Sequence, residues 1–315
     1  MAQTPAPMPP SLAGVKPDPK WPEPTGTIDL WPQGAAGQLH ADMKEVVEDV
    51  PNGAPIPIHR VQGISKPRMA VFPAANPNGG AMLIIPGGGF SWNYYTHEGY
   101  QLANYLNTQG ITCFVLFYRL ANDGWDNKAD VGTIDAQRAM RLIRKNAAQY
   151  KLDPKRVGVV GFSAGGFITA SLATRHAQAL YAAVDDADQL DARPFIAAPI
   201  YPVQSLDPAI AYDGTAPSLL GGPATPEQIA KYTPDRNVDA HTPPVFLAQA
   251  EDDTTVPVAN TTVLRDALKA KGIVVETHLF ASGGHGFGMK PDLDRPYHIW
   301  PQLFVNFARS QGLMG

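Results

Sequence analysis

The chain has 315 residues, enough for one large α/β domain or two small ones. Its net charge of -4 carries no basic excess, which argues against nucleic acid as a partner, and no apolar run approaches the length of a membrane span. Cys113 is the only cysteine, which excludes an intrachain disulfide; inside the apolar run 111–117 it reads as a buried thiol rather than a nucleophile.

Residues 1–10 have neither a basic segment nor an apolar core, so they are not themselves a signal peptide. They resemble the polar, Pro-rich start of a mature secreted protein behind an added Met1. The expectation is therefore a secreted or periplasmic protein whose signal peptide has been removed, with a cytoplasmic leader as the alternative. Residues 1–38 are rich in Pro and Gly and read as an extended arm, with Trp21 and Trp31 holding it against the body. A single domain would then occupy 39–315.

Short β-prone pieces between 43 and 72 predict antiparallel first strands, and 76–80 is a turn. A buried strand at 81–85 runs straight into Pro86-Gly87-Gly88-Gly89-Phe90. A helix follows at about 98–108, then a strand at 111–117 and a polar loop through Trp125. The spacing of Ala136, Ala139, Met140, Ile143, Ala147 and Tyr150 predicts a helix over about 133–150 with one core face. Arg138, Arg141, Arg144 and Lys145 would form its solvated side. Further strands are expected at 156–160, 194–201, 244–249 and 273–279, with helices at 164–176, 261–271 and 297–311. Residues 203–243 form a long Pro- and Gly-bearing insert with one helix near 226–232, read as a cap or binding segment. The β-α alternation predicts an α/β fold with a mostly parallel sheet and helices on both faces.

The chemistry centres on Gly161-Phe162-Ser163-Ala164-Gly165, which fits Gly-x-Ser-x-Gly between a buried strand and a small-residue helix. Such a pentapeptide arises by chance in roughly one chain of this length in ten, so the motif needs its context. A serine hydroxyl is a poor nucleophile and requires a base, which in turn requires an orienting acid. Loops at the same sheet edge supply both. Glu251, Asp252 and Asp253 crowd the end of the 244–249 strand, a mutual repulsion that makes sense if one of them faces an imidazole. Asp253 is the preferred acid and Asp252 its rival. His285 sits between glycines in Gly283-Gly284-His285-Gly286-Phe287, a loop open enough to carry its ring over Ser163. The backbone N–H groups of Gly88, Gly89 and Ala164 are candidates to hold an oxyanion. Trp92, Tyr94, Tyr95 and Trp125 lie on loops at this edge and could stack on a substrate. His97 and Glu98 are either a helix N-terminal cluster or substrate contacts.

Together with Thr96-His97-Glu98-Gly99, Leu30-Trp31-Pro32 and Phe117-Tyr118-Arg119-Leu120, these motifs resemble the α/β-hydrolase superfamily. More narrowly they are similar to the bacterial carbohydrate esterases related to acetylxylan and feruloyl esterases, over about residues 28–312. Lipase-like esterases carry His before the three glycines; this chain has Pro86, which favours the carbohydrate-esterase branch. The resemblance implies an α/β-hydrolase fold with a central sheet of about eight strands. It also implies a serine esterase that removes acetyl or similar small acyl groups from plant-wall sugars, with no metal or other cofactor and with an acylated oligosaccharide or small ester as substrate. The alternatives are a feruloyl or general short-chain carboxylesterase, a prolyl-oligopeptidase-like peptidase, and a non-catalytic carbohydrate-binding protein on the same scaffold.

Overall fold

The computed structural model describes residues 23–35, 43–50, 57–290 and 294–315; the expected leader and Trp21 lie outside them. In chain order the strands and helices are β1 (Gly26–Asp29), β2 (Val46–Val50), β3 (Ile58–Gln62), β4 (Arg68–Phe72), β5 (Ala81–Ile85), α1 (Gln101–Thr108), β6 (Thr112–Phe117), α2 (Val131–Lys145), β7 (Val157–Phe162) and α3 (Ala164–Arg175). They continue with β8 (Ala197–Ile200), α4 (Thr215–Leu220), α5 (Pro226–Tyr232), β9 (Val245–Ala250), α6 (Ala259–Ala270), β10 (Val275–Phe280) and α7 (Trp300–Ser310).

One eight-stranded sheet runs in the order β1-β4-β6-β5-β7-β8-β9-β10. The first two pairings are antiparallel and the rest are parallel. The parallel strands β5, β6, β7, β8 and β9 are buried along their whole length, which is why they read as unbroken apolar runs rather than alternating ones. Helices cover both faces. Helices α2 and α3 pack together on one, while α1 and α7 meet on the other, where the Tyr105 hydroxyl donates to Gln302 at 3.4 Å. From β5 the chain steps outward to β6 and then returns to β7 on the opposite side. This reversal opens a crevice at the carboxyl ends of β5 and β7, the place where open α/β sheets bind ligands. The strands β2 and β3 form a separate antiparallel ribbon.

Two expectations change. Within the supposed arm, Gly26–Asp29 is an edge strand of the sheet, and Leu30 and Trp31 that follow it are core residues. Arg138 is not solvated: it is 0% exposed. Its guanidinium pairs with Asp185 at 2.6 Å and Asp188 at 3.0 Å, and its Nε donates to the Leu30 carbonyl at 3.0 Å. A cationic residue is admitted to the interior from the polar side of the helix because its charge has partners there. The insert holds the expected helix α5, opened by a Thr225–Gln228 capping box, and also the short helix α4. Among the described residues no helix is long and apolar enough to cross a membrane.

A second buried ion pair fixes the Trp31 segment to α2. Asp135 takes hydrogen bonds from the Arg119 side chain, from the Arg119 backbone N–H at 2.9 Å and from the Trp31 indole at 2.8 Å. Both charged side chains are essentially inaccessible. Removing the carboxylate takes a buried counter-charge from the guanidinium and an acceptor from the Trp31 indole and the Arg119 N–H. Asp135→Ala is therefore expected to cost about 3–5 kcal/mol, measurable by urea unfolding; a loss below about 1 kcal/mol would contradict this account.

Candidate active site

The site begins with a backbone problem. Ser163 follows β7 directly and precedes α3, at φ 51° and ψ -114°, a region that non-glycine residues avoid. The chain tolerates it because its neighbours demand it. Ile85 of β5 pairs with Gly161 of β7, so the start of α3 must cross the end of β5 at backbone contact. A Cβ on Gly165 would overlap the Ile85 carbonyl oxygen, and one on Gly161 would overlap the Thr169 hydroxyl and the Gly165 carbonyl. The two glycines remove those side chains, and the serine between them takes up the strain.

Three further strand ends converge on Ser163. His285, after β10, places Nε2 2.8 Å from Ser163 Oγ. Its other nitrogen, Nδ1, lies 2.8 Å from Asp253 Oδ2, after β9. A carboxylate can only accept, so Nδ1 carries the proton and Nε2 is left free to accept from the serine hydroxyl. Asp253 is itself held on every side. Its Oδ1 accepts the backbone N–H groups of Thr255 and Val256 at 3.0 and 2.9 Å, and Gln249 Nε2 donates to Oδ2 at 3.1 Å. Burial raises its pKa, but the hydrogen bond and charge of His285, with those donors, outweigh burial and hold it below the ordinary value. Asp252, the rival acid, turns away and accepts the Gly284 N–H at 2.7 Å, so it braces the histidine loop instead.

The glycine run after β5 supplies directed N–H groups. The Gly87 carbonyl accepts Tyr94 N–H at 3.0 Å, and the Gly88 carbonyl accepts Trp92 N–H at 3.0 Å. In a trans peptide the next N–H points the opposite way. The N–H groups of Gly88 and Gly89 therefore point away from the 91–94 turn. Gly88 sits at φ 139°, and a Cβ there would collide with the Trp92 carbonyl, so glycine is required. Gly88, Gly89, Ser163 and His285 all border one cavity of about 340 Å³. Ala164 begins α3, whose N-terminus adds a favourable field for a negative oxygen.

Of the expected substrate contacts, Trp92, Tyr94, His97 and Glu98 line this cavity. Tyr95 does not; its ring packs on His59, Tyr100 and Phe117. Trp125 is 3% exposed with Arg119 over its ring, so it is a packing residue of the adjoining loop. Burial lowers the pKa of His97, against the opposing pull of Glu98, so its ring is neutral near pH 7.

The sequence reading missed several residues here. Tyr201, just after β8, is fully buried at φ 37° with its ring 5.0 Å from that of His285. Burial and the nearby carboxylates push its phenol well above the usual range. Arg60 stacks on Trp92 at 3.8 Å and donates to Tyr94 at 2.9 Å. Lys290, Val203 and Tyr212 also border the cavity. No local motif marks these side chains; β8 ending beside the elbow, where Ile200 pairs with Phe162, was the one available hint for Tyr201.

The sheet, the strained serine turn and the Ser–His–Asp hydrogen-bond chain define a protein of the α/β-hydrolase class. The chain belongs to the BD-FAE family, whose model matches residues 73–268. It is 34% identical over 227 residues to an acetylxylan esterase of Xylanibacter ruminicola, covering 71% of this chain and 44% of that protein. It is 33% identical over 211 residues to endo-1,4-β-xylanase B of Butyrivibrio fibrisolvens, covering 67% of this chain and 33% of that protein. The chain thus spans less than half the length of either relative. Among solved structures, an acetyl ester-xyloside bifunctional hydrolase from Caldicellulosiruptor lactoaceticus superposes with a TM-score of 0.74 at 28% identity, over 93% of this chain and 98% of that one.

A carboxylate with a depressed folded-state pKa contributes stability that is fully present above its unfolded value, about 3.9, and is lost as pH falls through the folded value. Asp253→Asn is expected to lack that part of the acid-side decline. Parallel unfolding profiles of the variant and the parent below about pH 4 would contradict it.

Proposed function

We propose that this protein is a serine carboxylic-ester hydrolase that removes acetyl groups from plant-wall carbohydrate, as the acetylxylan esterase among its relatives is named to do. The observation that carries the proposal is the unbroken chain of two 2.8 Å contacts from Asp253 through His285 to Ser163, opening into a cavity edged by the glycine loop.

In this reading Ser163 Oγ attacks the ester carbonyl while its proton passes to His285 Nε2. Asp253 holds the imidazole tautomer and stabilises the imidazolium. The tetrahedral oxyanion is held by the N–H groups of Gly88, Gly89 and Ala164. As the ester C–O bond breaks, His285 gives its proton to the departing sugar oxygen, which leaves as a hydroxyl. Water, deprotonated by the same imidazole, attacks the acyl carbonyl; the bond to Ser163 Oγ breaks, the acid is released and the imidazolium returns its proton to the serine. The insert 203–243 acts as a cap on this site, since its Val203 and Tyr212 border the cavity. The polymeric substrate is consistent with action outside the cytoplasm; fractionation of cells expressing the full gene should find the activity there, and a purely cytoplasmic enzyme would count against export.

A second reading, feruloyl-ester hydrolysis, has one observation in its favour: Trp92, Tyr94 and Tyr212 give the cavity aromatic walls. The two readings separate in one experiment. Acetylated xylan, methyl ferulate and p-nitrophenyl esters of increasing acyl length are compared by kcat/KM. Highest values on acetyl esters support the first reading, and preference for ferulate supports the second. Ser163→Ala should lower p-nitrophenyl acetate turnover by at least about four orders of magnitude with an unchanged melting temperature. Undiminished turnover by that variant would remove the mechanism.

A further inference from the structure

Between the glycine loop and α1 the chain makes a single π turn, Thr96–Tyr100, with Tyr100 N–H bonded five residues back to the Tyr95 carbonyl at 2.8 Å. Such turns cost helical regularity and recur at functional sites. This one points Glu98 into the protein, where it is 4% exposed. Its two carboxylate oxygens go to different loops. Oε2 accepts the Gly87 N–H at 2.8 Å, at the root of the glycine run. Oε1 accepts the Tyr201 hydroxyl at 2.7 Å. That hydroxyl in turn accepts the Gly288 N–H at 2.9 Å, three residues beyond His285. The next amide, Met289 N–H, donates to the His97 carbonyl of the same π turn at 3.0 Å.

We propose that Glu98, through Tyr201, is a positioning residue that sets the spacing between the loop that holds the oxyanion and the loop that carries His285. The inference rests on the esterase reading for its kinetic consequence, but the strap itself is a statement about hydrogen bonds. The chemistry of the partners selects the residue types. Gly87 N–H can only donate. The Tyr201 hydroxyl uses its acceptor side for Gly288 and so must donate its proton to Glu98. Both contacts therefore need an acceptor, which a carboxylate provides twice and an amide only once. Gln at 98 would turn an NH2 group against one of two buried donors. Tyr201 has a second role, because its ring edge packs on the His285 imidazole; loss of the hydroxyl frees the loop without removing that packing. Occupation of Gly87 N–H by Glu98 also means that this amide is not a donor to the reaction, leaving Gly88 and Gly89 for it.

The test uses Glu98→Gln, Tyr201→Phe and the double variant in the full chain. Active sites are titrated with a fluorophosphonate, so that misfolded protein does not enter the rate. The expected result is a fall in kcat of about tenfold to a hundredfold for each single variant with KM little changed. The double variant should be no worse than the poorer single, because both cut one strap. Affinity for a trifluoromethyl ketone, which forms a tetrahedral anion on serine, should weaken by the same factor as kcat/KM. Normal kcat per titrated site, or losses that multiply in the double variant, would overturn the proposal even if both variants melt earlier. If the parent protein proves inert on esters, the esterase reading fails by itself and amide hydrogen exchange decides the strap. Faster exchange at 87–89 and 284–289 in both variants supports it, and unchanged exchange overturns it.

Discussion

The structure depends on one close approach. Helix α3 starts where β5 ends, and Gly165 lies against the Ile85 and Pro86 carbonyls with no room for a side chain. This contact bends the backbone at Ser163 into its strained form and lifts the hydroxyl out of the sheet. Because β5 and β7 are neighbours, the glycine run after β5 arrives at the same point. Because β8, β9 and β10 follow in order across the sheet, Tyr201, Asp253 and His285 leave from successive strand ends on the same edge.

What keeps that edge rigid is a set of buried polar groups with matched partners. Gln249 is the clearest example. It is fully buried on β9, donates to Asp253 and to the Val256 carbonyl at 2.8 Å, and accepts from Thr261 at 2.6 Å. One side chain thereby ties the acid-bearing loop to α6. The Glu98–Tyr201 contact likewise ties the glycine run to the segment after His285. Each such group would be costly if left unpaired, so the network holds in one arrangement or gives way as a unit. The ion pairs around Arg119 and Arg138 lie away from the cavity and serve the fold. They lock the edge strand β1 and the Trp31 segment to α2.

Much of this was legible in the sequence, for reasons that are local. A buried parallel strand must be apolar throughout, so β5, β6, β7 and β9 stand out as runs. A turn that cannot hold a Cβ must be glycine, so Gly161, Gly165, Gly87 and Gly88 mark the elbow and its facing loop. His285 was distinctive because the glycines on either side of it, Gly284 and Gly286, take positive φ. Other features were hidden. Arg138 lies in a helix whose polar face looks solvated, and only the Asp185–Asp188 turn, some fifty residues on, makes it a core residue. Tyr95 and Trp125 look like cavity aromatics from their loops, yet their rings turn into packing that no neighbouring residue announces.

The sequence by itself determined the strands and helices from β2 onward except α4, the glycine-bearing turns and a short set of groups able to do acyl chemistry, because each follows from side-chain size, polarity or pKa at its own position. The choice between Asp252 and Asp253 was left to the tertiary structure. Both are carboxylates on the same turn, and one residue of backbone rotation sends the first to the Gly284 amide and the second to the imidazole. The fold also decided that Glu98 faces inward. Its orientation is set by a π turn, and its partners come from Gly87, 11 residues away, and Tyr201, 103 residues away. Distance along the chain carries no signature of a contact that exists only once the sheet has brought those strand ends together.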